Sequence, residues 1–313
     1  MPGIVVISNP NALRSREAPD LAGRMQAILE EEGIVLETPA VDRMADAAAA
    51  CLSRGPDLVA VNGGDGTLHV VVTELVRAYA NAGRKLPPIA LLRGGTMNTI
   101  AKGMRTLPGT PLAILRRLVE KHRRGLTFET LARHALDLNG GAELGFLFGL
   151  GAPVGFLRAY YEGRGRGPAK GALLLGRLVL SALGRGAFAR DVFSPVSALL
   201  SLDGQRIAPR PWSVIMAATV TEVGLGFAPF RRTLDEEGRF QIIASGDSPM
   251  RLASQLHRIH AGDRVRGDAV DALVEEARIE VQGKVDYLID GEIKPAPRRI
   301  TLRAGPRLSF VVK

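Results

Sequence analysis

The fold of this chain is decided at Leu58-Val59-Ala60-Val61-Asn62-Gly63-Gly64-Asp65-Gly66-Thr67, where an apolar run stops at three glycines around one carboxylate. Residues 58–61 predict a buried parallel strand, and the apolar spacing of residues 68–82 predicts an amphipathic helix after the turn. Glycines at such a turn let backbone N–H groups approach an anion, and the helix N-terminus adds partial positive charge. We therefore predict that Gly63, Gly64, Gly66 and Thr67 bind phosphate.

The same glycines also fit a simpler interpretation, a tight turn whose glycines only satisfy backbone geometry. Asp65 favours the nucleotide site, because an acid beside a phosphate is repelled unless a metal ion or a transferable proton lies between them. No G-x-x-x-x-G-K-[ST] sequence is present, so the turn is not a Walker P-loop.

Two further turns follow predicted strands. Gly94-Gly95-Thr96-Met97-Asn98 comes after a strand at residues 88–93 and before a short helix at 99–104. Ligands bind outside the carboxyl ends of parallel strands, so we expect this turn to lie beside the first and to add Thr96 and Asn98 to the nucleotide site. Asn9 follows the first strand, Ile4 to Ser8, and either contacts the base or ribose or caps its own turn.

The periodicity predicts two domains. Residues 1–125 alternate strands and helices, which indicates a doubly wound α/β nucleotide-binding domain with a parallel sheet. Residues 126–299 show short alternating strands joined by turns such as Asn139-Gly140, with one helix near residues 248–261, which indicates an antiparallel, β-sandwich-like domain.

Composition limits the partners. The 313-residue chain has a formal charge of +9, a single cysteine and no signal-peptide pattern at its start, which together predict a cytoplasmic protein that is attracted to polyanions. The charge is concentrated in residues 158–190, which hold seven basic residues and one acid. Aromatic residues are sparse there and no nucleic-acid-binding motif occurs, so an anionic membrane surface is the favoured partner over nucleic acid.

Within this basic segment, residues 172–183 are strongly apolar but too short to span a bilayer, which takes about 20 residues. The stretch either lies in the membrane interface, with arginines at lipid phosphates, or forms a core helix of the second domain. We expect the leucines to belong to a core helix and the arginines to face lipid at the inner face of the membrane.

The motifs Gly63-Gly64-Asp65-Gly66-Thr67, Gly94-Gly95-Thr96-Met97-Asn98 and Ile289-Asp290-Gly291-Glu292 resemble, in order and spacing, those of the soluble diacylglycerol kinase and sphingosine kinase superfamily. The first motif is also shared with NAD kinases and phosphofructokinases, and the other two narrow the match to lipid kinases. The resemblance implies ATP and Mg²⁺ as cofactors and a membrane lipid, such as diacylglycerol, ceramide or a sphingoid base, as the acceptor.

The resemblance also implies that the last strand, within residues 300–313, returns to the first domain. It implies roles for individual residues as well. Glu292 becomes the general base with Asp290 beside it, although the residues alone predict an ordinary Asp-Gly hairpin there. Asp65 is expected to organise Mg²⁺ or its water. A structural Mg²⁺ site would comprise Leu234, Glu237 and Arg239, with glutamate in place of the usual aspartate; an acidic surface turn is the alternative.

Two rival functions remain open at this stage. A soluble kinase of the NAD-kinase type would share the first glycine turn and would not need the basic apolar segment. A nucleotide-regulated lipid-binding protein without catalysis would keep both features, and the altered residues after Asn98 are the only hint of it.

Overall fold

Four parallel strands form the centre of the first part of the chain, in a computed structural model that describes residues 3–162, 165 and 167–312. The chain divides into two units, one comprising residues 1–133 and 306–313 and the other residues 134–305. The strands of the first unit are β1 (Ile4–Ser8), β2 (Gly33–Glu37), β3 (Leu58–Asn62) and β4 (Ile89–Leu91), and its helices are α1 (Leu13–Glu17), α2 (Leu21–Leu29), α3 (Met44–Arg54), α4 (Asp65–Asn81), α5 (Thr99–Gly103) and α6 (Pro111–Arg123), with a short 3-10 turn at Val41–Arg43.

The sheet of the first unit runs β4-β3-β1-β2 with all pairs parallel. Phe310, near the C-terminus, pairs in parallel with Ile89 at the outer side of β4. Helices α2 and α6 pack together, as do α3 and α4, and every residue of β1 and β3 is buried. Strands buried on both faces are those of a doubly wound sheet, so the predicted α/β class is confirmed.

The second unit is built from antiparallel strands. They are β5 (Thr130–Leu138), β6 (Glu143–Gly145), β7 (Leu147–Gly151), β8 (Val196–Leu202), β9 (Gln205–Arg206), β10 (Arg210–Trp212), β11 (Val214–Ala218), β12 (Phe240–Ser245), β13 (Ala269–Val274), β14 (Glu276–Val281), β15 (Asp286–Ile289), β16 (Glu292–Pro295) and β17 (Arg299–Val311). The residues of β5 up to 133 and those of β17 from 306 onward belong to the first unit.

One sheet of the second unit has the order β13-β12-β11-β7-β15-β16, and the other contains β10-β8-β14-β17, with β5 and β6 beside it. One apolar core joins the two, with Phe148 and Ile215 from the first sheet and Leu200 and Ile279 from the second. Two antiparallel sheets around one core form a sandwich, which confirms the predicted β-rich class.

The helices of the second unit are α7 (Ala152–Tyr161), α8 (Pro168–Leu183), α9 (Ala187–Val192), α10 (Pro249–Ser254) and α11 (Leu256–Ala261), and a 3-10 turn spans Arg231–Leu234. The expectation of one helix near residues 248–261 was wrong, because that segment forms two short helices and α7 and α9 were not foreseen. Within the described part of the chain, none of the helices combines the length and the apolar composition of a membrane span.

Candidate active site

The first glycine turn carries a helix N-terminus with free backbone donors. Strand β3 ends at Asn62, Gly64 is the N-cap of α4, and the first helical hydrogen bond runs from the Leu68 nitrogen to the Gly64 carbonyl. The N–H groups of residues 65–67 therefore have no acceptor in their own helix, and glycine has no side chain to cap them. A helix of 17 residues also directs its positive dipole end to this point. The turn suits an anion.

The two glycine turns touch backbone to backbone. Strands β3 and β4 are neighbours, with Val61 opposite Leu91, so both turns leave the same edge of the sheet. A Cβ atom on Gly95 would lie only 2.3 Å from the Cα of Gly64. Only glycine fits at position 95, and the second turn lies beside the first as its spacing predicts.

Asp65 joins the second turn to the first. One of its carboxylate oxygens accepts a hydrogen bond from the Thr99 nitrogen (2.9 Å) and the other from the Ile100 nitrogen (3.0 Å), at the N-terminus of α5. Burial of the carboxylate raises the pKa of Asp65, and the two N–H donors and Lys102 oppose that rise. The Thr99 hydroxyl also bonds to this carboxylate, and the expected role of Asp65 near Mg²⁺ stays a prediction.

Asn98 shapes the second turn. It has a left-handed backbone (φ 50°), its side-chain oxygen accepts from the Gly95 nitrogen, and its amide donates to the carbonyls of Gly95 and Arg93. Its side chain is thus used within the turn. Thr96 is partly exposed, and its hydroxyl makes no hydrogen bond within the described residues, which leaves it available to a ligand.

Asn9 caps its own turn and braces the first one. Its side-chain oxygen accepts from the Asn11 nitrogen (2.8 Å), and its amide donates to the Thr67 hydroxyl (2.9 Å). Of the two roles considered for Asn9, the structure shows the cap. The Thr67 side chain covers the Cα of Gly63, where a Cβ would lie 2.4 Å from it.

Asn62 was not singled out from the sequence. The side chain is fully buried, its amide donates to the hydroxyls of Ser8 (2.9 Å) and Ser15 (3.3 Å), and its oxygen faces the Cα of Gly94. It therefore links all three strand ends under the turns. The polar residue at the end of an otherwise apolar strand was the signal that could have identified it.

The Asp290-Gly291-Glu292 segment is a two-residue hairpin turn that is pinned from inside the second unit. Asp290 (φ 45°) and Gly291 (φ 90°) both have left-handed backbones, and Ile289 pairs with Glu292. The Asp290 side chain is buried and accepts hydrogen bonds from the nitrogens of Phe146 and Leu147. The hairpin prediction from the residues alone is correct, and the buried carboxylate fixes where Glu292 begins.

Glu292 itself is exposed and makes no hydrogen bond or ion pair within the described residues. Two positions further along β16, Lys294 forms an ion pair with Glu143 (2.8 Å), and Tyr287 donates a hydrogen bond to the same carboxylate (2.8 Å). Burial raises the pKa of Tyr287, and Glu143 raises it further. Among the described residues, the Glu292 carboxylate is therefore available to a ligand, whereas Lys294 and Tyr287 already bond to Glu143.

The predicted structural Mg²⁺ loop is rich in ion pairs to arginine. Leu234 is exposed at the end of a 3-10 turn, and Arg239 contacts the carboxylates of Glu236 and Glu275, both at 3.2 Å. Glu237 is exposed. Among the described residues, no cluster of three or more acidic, histidine or cysteine side chains is arranged to hold a metal ion, so this site stays a prediction.

The apolar part of the basic segment is helix α8, and one side of it is not covered. Leu173, Leu180 and Leu183 are 77%, 73% and 53% exposed, whereas Leu178 is buried. The expectation that the leucines belong to a core helix was wrong for these three. Arg177, Arg185 and Arg190 are exposed on or near the same helix; Gly163, Arg164 and Arg166 lie outside the described residues.

Solved structures share this fold. A protein from Bacillus anthracis, provisionally named a diacylglycerol kinase, is 15% identical with a TM-score of 0.69, and the match covers 99% of this chain and 96% of that one. A second diacylglycerol kinase structure from the same organism is 14% identical with a TM-score of 0.63, over 99% and 97% of the two chains. Yeast NADH kinase in complex with NADH is 12% identical with a TM-score of 0.50, over 100% and 84%.

The fold is therefore that of the diacylglycerol kinases and NAD(H) kinases. Residues 3–129 match the family model of the diacylglycerol kinase catalytic domain, which confirms the resemblance based on the glycine motifs. The matched residues lie within the first unit of the chain and include both glycine turns. A search of curated proteins finds no match.

Proposed function

We propose that this protein is an ATP-dependent kinase that transfers the γ-phosphate to the hydroxyl of a membrane lipid such as diacylglycerol, ceramide or a sphingoid base. The observation that carries the proposal is the pair of glycine turns in backbone contact. The uncapped N–H groups of α4 lie on the same sheet edge as the Thr96 hydroxyl, which has no hydrogen-bond partner among the described residues, and the contact at Gly95 leaves no room for a side chain. Backbone donors in this arrangement fit phosphate oxygens.

The donor set also fits Mg²⁺ held in the usual way for a nucleotide kinase, by one carboxylate together with phosphate oxygens. Asp65, the one carboxylate within the first glycine turn, would supply it. When bound, Mg²⁺ would neutralise charge on the phosphates.

Phosphoryl transfer needs positioning and a carboxylate that accepts the proton of the attacking hydroxyl. We assign this role to Glu292, because its carboxylate is exposed and has no partner among the residues that the structure describes, while its backbone follows a pinned turn. The glycine turns hold the phosphates, Asp65 keeps the turns together, and Glu292 takes the proton at a carboxylate oxygen. Asp290 acts by fixing the turn.

The acceptor is proposed to be a lipid because of helix α8. Three exposed leucines recur at helical spacing on it, and the exposed arginines beside them carry charge opposite to that of anionic headgroups. A soluble acceptor would give no reason for this surface. The protein is accordingly proposed to bind the inner face of the cytoplasmic membrane peripherally.

The test of the reaction offers [γ-³²P]ATP with diacylglycerol, ceramide, sphingosine and NAD in separate reactions. Transfer to one of the lipids supports the proposal, transfer to NAD alone supports the soluble rival, and no transfer with normal ATP binding supports a non-catalytic lipid-binding protein. Glu292→Gln should lower kcat by a factor of about 10² to 10⁴ and leave ATP affinity unchanged. Glu280→Gln, an exposed glutamate on β14, should behave like wild type.

The test of the membrane surface is co-sedimentation with vesicles of phosphatidylcholine and phosphatidylglycerol. A Leu173→Asp, Leu180→Asp double variant should lose most binding, because aspartate is repelled by anionic headgroups and removes apolar contact. Leu199→Asp changes another exposed leucine, on strand β8, and should bind normally. Equal vesicle binding by wild type, the double variant and Leu199→Asp would contradict the proposed membrane surface.

A further inference from the structure

The turn that bears Glu292 is held by helix α7 as well as by Asp290. Helix α7 ends at Tyr161, and the Tyr161 hydroxyl donates a hydrogen bond to the Gly291 carbonyl at 2.9 Å. One turn earlier in the helix, Arg158 forms an ion pair with Asp286 at the start of β15. The helix thus contacts the hairpin at its tip and at its base.

The bond to Gly291 acts on the peptide group that leads directly into Glu292. In a two-residue hairpin the Glu292 nitrogen donates to the Ile289 carbonyl, whereas the Gly291 carbonyl of the same peptide group takes no part in the strand ladder. Gly291 has no side chain and a left-handed backbone (φ 90°), so the ladder bond of Glu292 is the restraint that the hairpin itself gives this peptide group. The Tyr161 hydroxyl donates to the carbonyl and so holds the peptide group at its other end.

We propose that Tyr161 is a positioning residue for Glu292, an inference that rests on the proposed function of Glu292 as the base. Asp290 fixes the inner side of the turn through the nitrogens of Phe146 and Leu147, and Tyr161 fixes the outer side through the Gly291 carbonyl. With both sides held, the Glu292 carboxylate projects from a defined backbone and, in the described part of the chain, has no partner of its own. Tyr161 is 60% exposed, so its contribution to packing is small.

The test compares Tyr161→Phe, which removes only the hydroxyl, with Tyr160→Phe. The Tyr160 hydroxyl accepts a hydrogen bond from the Gly167 nitrogen (2.7 Å) and, among the described residues, makes no hydrogen bond to the hairpin, so it controls for loss of a neighbouring hydroxyl. Tyr161→Phe should lower kcat about five- to tenfold, the effect of one neutral hydrogen bond, with KM for ATP and thermal stability unchanged. Tyr160→Phe should retain the wild-type kcat.

A second measurement does not depend on activity. Hydrogen–deuterium exchange of the peptide covering residues 286–295, without nucleotide or lipid, should be faster in Tyr161→Phe than in wild type and unchanged in Tyr160→Phe. Unchanged exchange in Tyr161→Phe overturns the positioning role, as does faster exchange with unchanged kcat. Faster exchange in a protein whose wild type phosphorylates none of the offered acceptors would instead refute the proposed function and, with it, the catalytic meaning of this contact.

Discussion

Replacing Gly95 by alanine would place a methyl carbon 2.3 Å from the Cα of Gly64 and 3.0 Å from its nitrogen. Carbon atoms in contact rest about 3.5–4.0 Å apart, so the two turns would have to separate by about 1 Å or more. Gly95 does not have a left-handed backbone, so alanine is tolerated conformationally and the whole effect is steric. Gly95→Ala therefore measures how much the contact between the turns contributes to folding stability and to ATP affinity.

Overpacking of this kind costs about 1–3 kcal/mol of folding free energy. We expect faster hydrogen exchange of the β3 and β4 amides, which report on the first unit alone, and an ATP affinity that falls at least tenfold, or by about 1.4 kcal/mol, in calorimetry. The affinity falls because the backbone donors and the Thr96 hydroxyl no longer face one ligand.

Alanine substitutions at two other glycines serve as comparisons for Gly95→Ala. A Cβ on Gly64 would lie 3.3 Å from the Cα of Gly95, so Gly64→Ala should have the same effect to a smaller degree. Gly23→Ala, on the exposed side of α2, meets only the end of the flexible Asp20 side chain and should leave ATP affinity unchanged. Wild-type exchange and wild-type affinity in Gly95→Ala would refute the argument that close contact of the turns forms the site.

Three further predictions concern charged groups. Hydrogen bonds to Asp57 and Glu32 raise the pKa of His122 in the folded protein. The stabilisation by protonated His122 is therefore complete below the unfolded pKa near 6.5 and is lost as the pH rises through the higher folded pKa. Between pH 5.5 and 9 the melting temperature should fall with rising pH in wild type and fall much less in His122→Gln. Asp290→Asn should lower the urea midpoint of unfolding more than Asp203→Asn. Both carboxylates accept hydrogen bonds from two backbone N–H groups, but only that of Asp290 is buried, so its loss should lower the free energy of unfolding by about 1–3 kcal/mol. Equal midpoints for the two variants would contradict this. Asp65→Asn keeps one oxygen acceptor for the two backbone N–H donors of residues 99 and 100, so hydrogen exchange of the α5 amides should be faster than in wild type. Unchanged exchange would show that the second hydrogen bond does not stabilise α5.

Local rules explain what the sequence could predict. The apolar run before Gly63 and the helical spacing after Thr67 specify the strand, the turn and the helix without knowledge of the rest of the chain, and the structure has β3 and α4 there. The Asp290-Gly291 turn follows from the same kind of rule, because few residue pairs accept two left-handed backbones in succession.

The remaining features depend on contacts between distant segments. The bonds from Asp65 to residues 99 and 100 span more than 30 positions, and only the pairing of β3 with β4 brings them together. Helix α7 was missed because Pro153 and Gly155 weaken its helical pattern; Gly155 is required by packing, since a Cβ there would lie 2.4 Å from the Val192 carbonyl. With α7 unforeseen, the contact of Tyr161 with the hairpin could not be anticipated.

In helix α8, the sequence predicts the helix but not which of its leucines are buried. Its apolar spacing predicts a helix with an apolar face, but spacing does not show which leucines other elements cover. The structure buries Leu178 and leaves Leu173 and Leu180 exposed, which reverses the expected role of those two side chains.

The most direct test of the account compares ATP, ADP and adenosine as ligands of the purified full-length protein by calorimetry, with and without Mg²⁺. If the glycine turns bind phosphate oxygens, ATP should bind with one site per chain and depend on Mg²⁺, ADP should bind more weakly, and adenosine should bind least. Adenosine that binds as tightly as ATP, or ATP that does not bind at all, would contradict the claim that this sheet edge is a phosphate site.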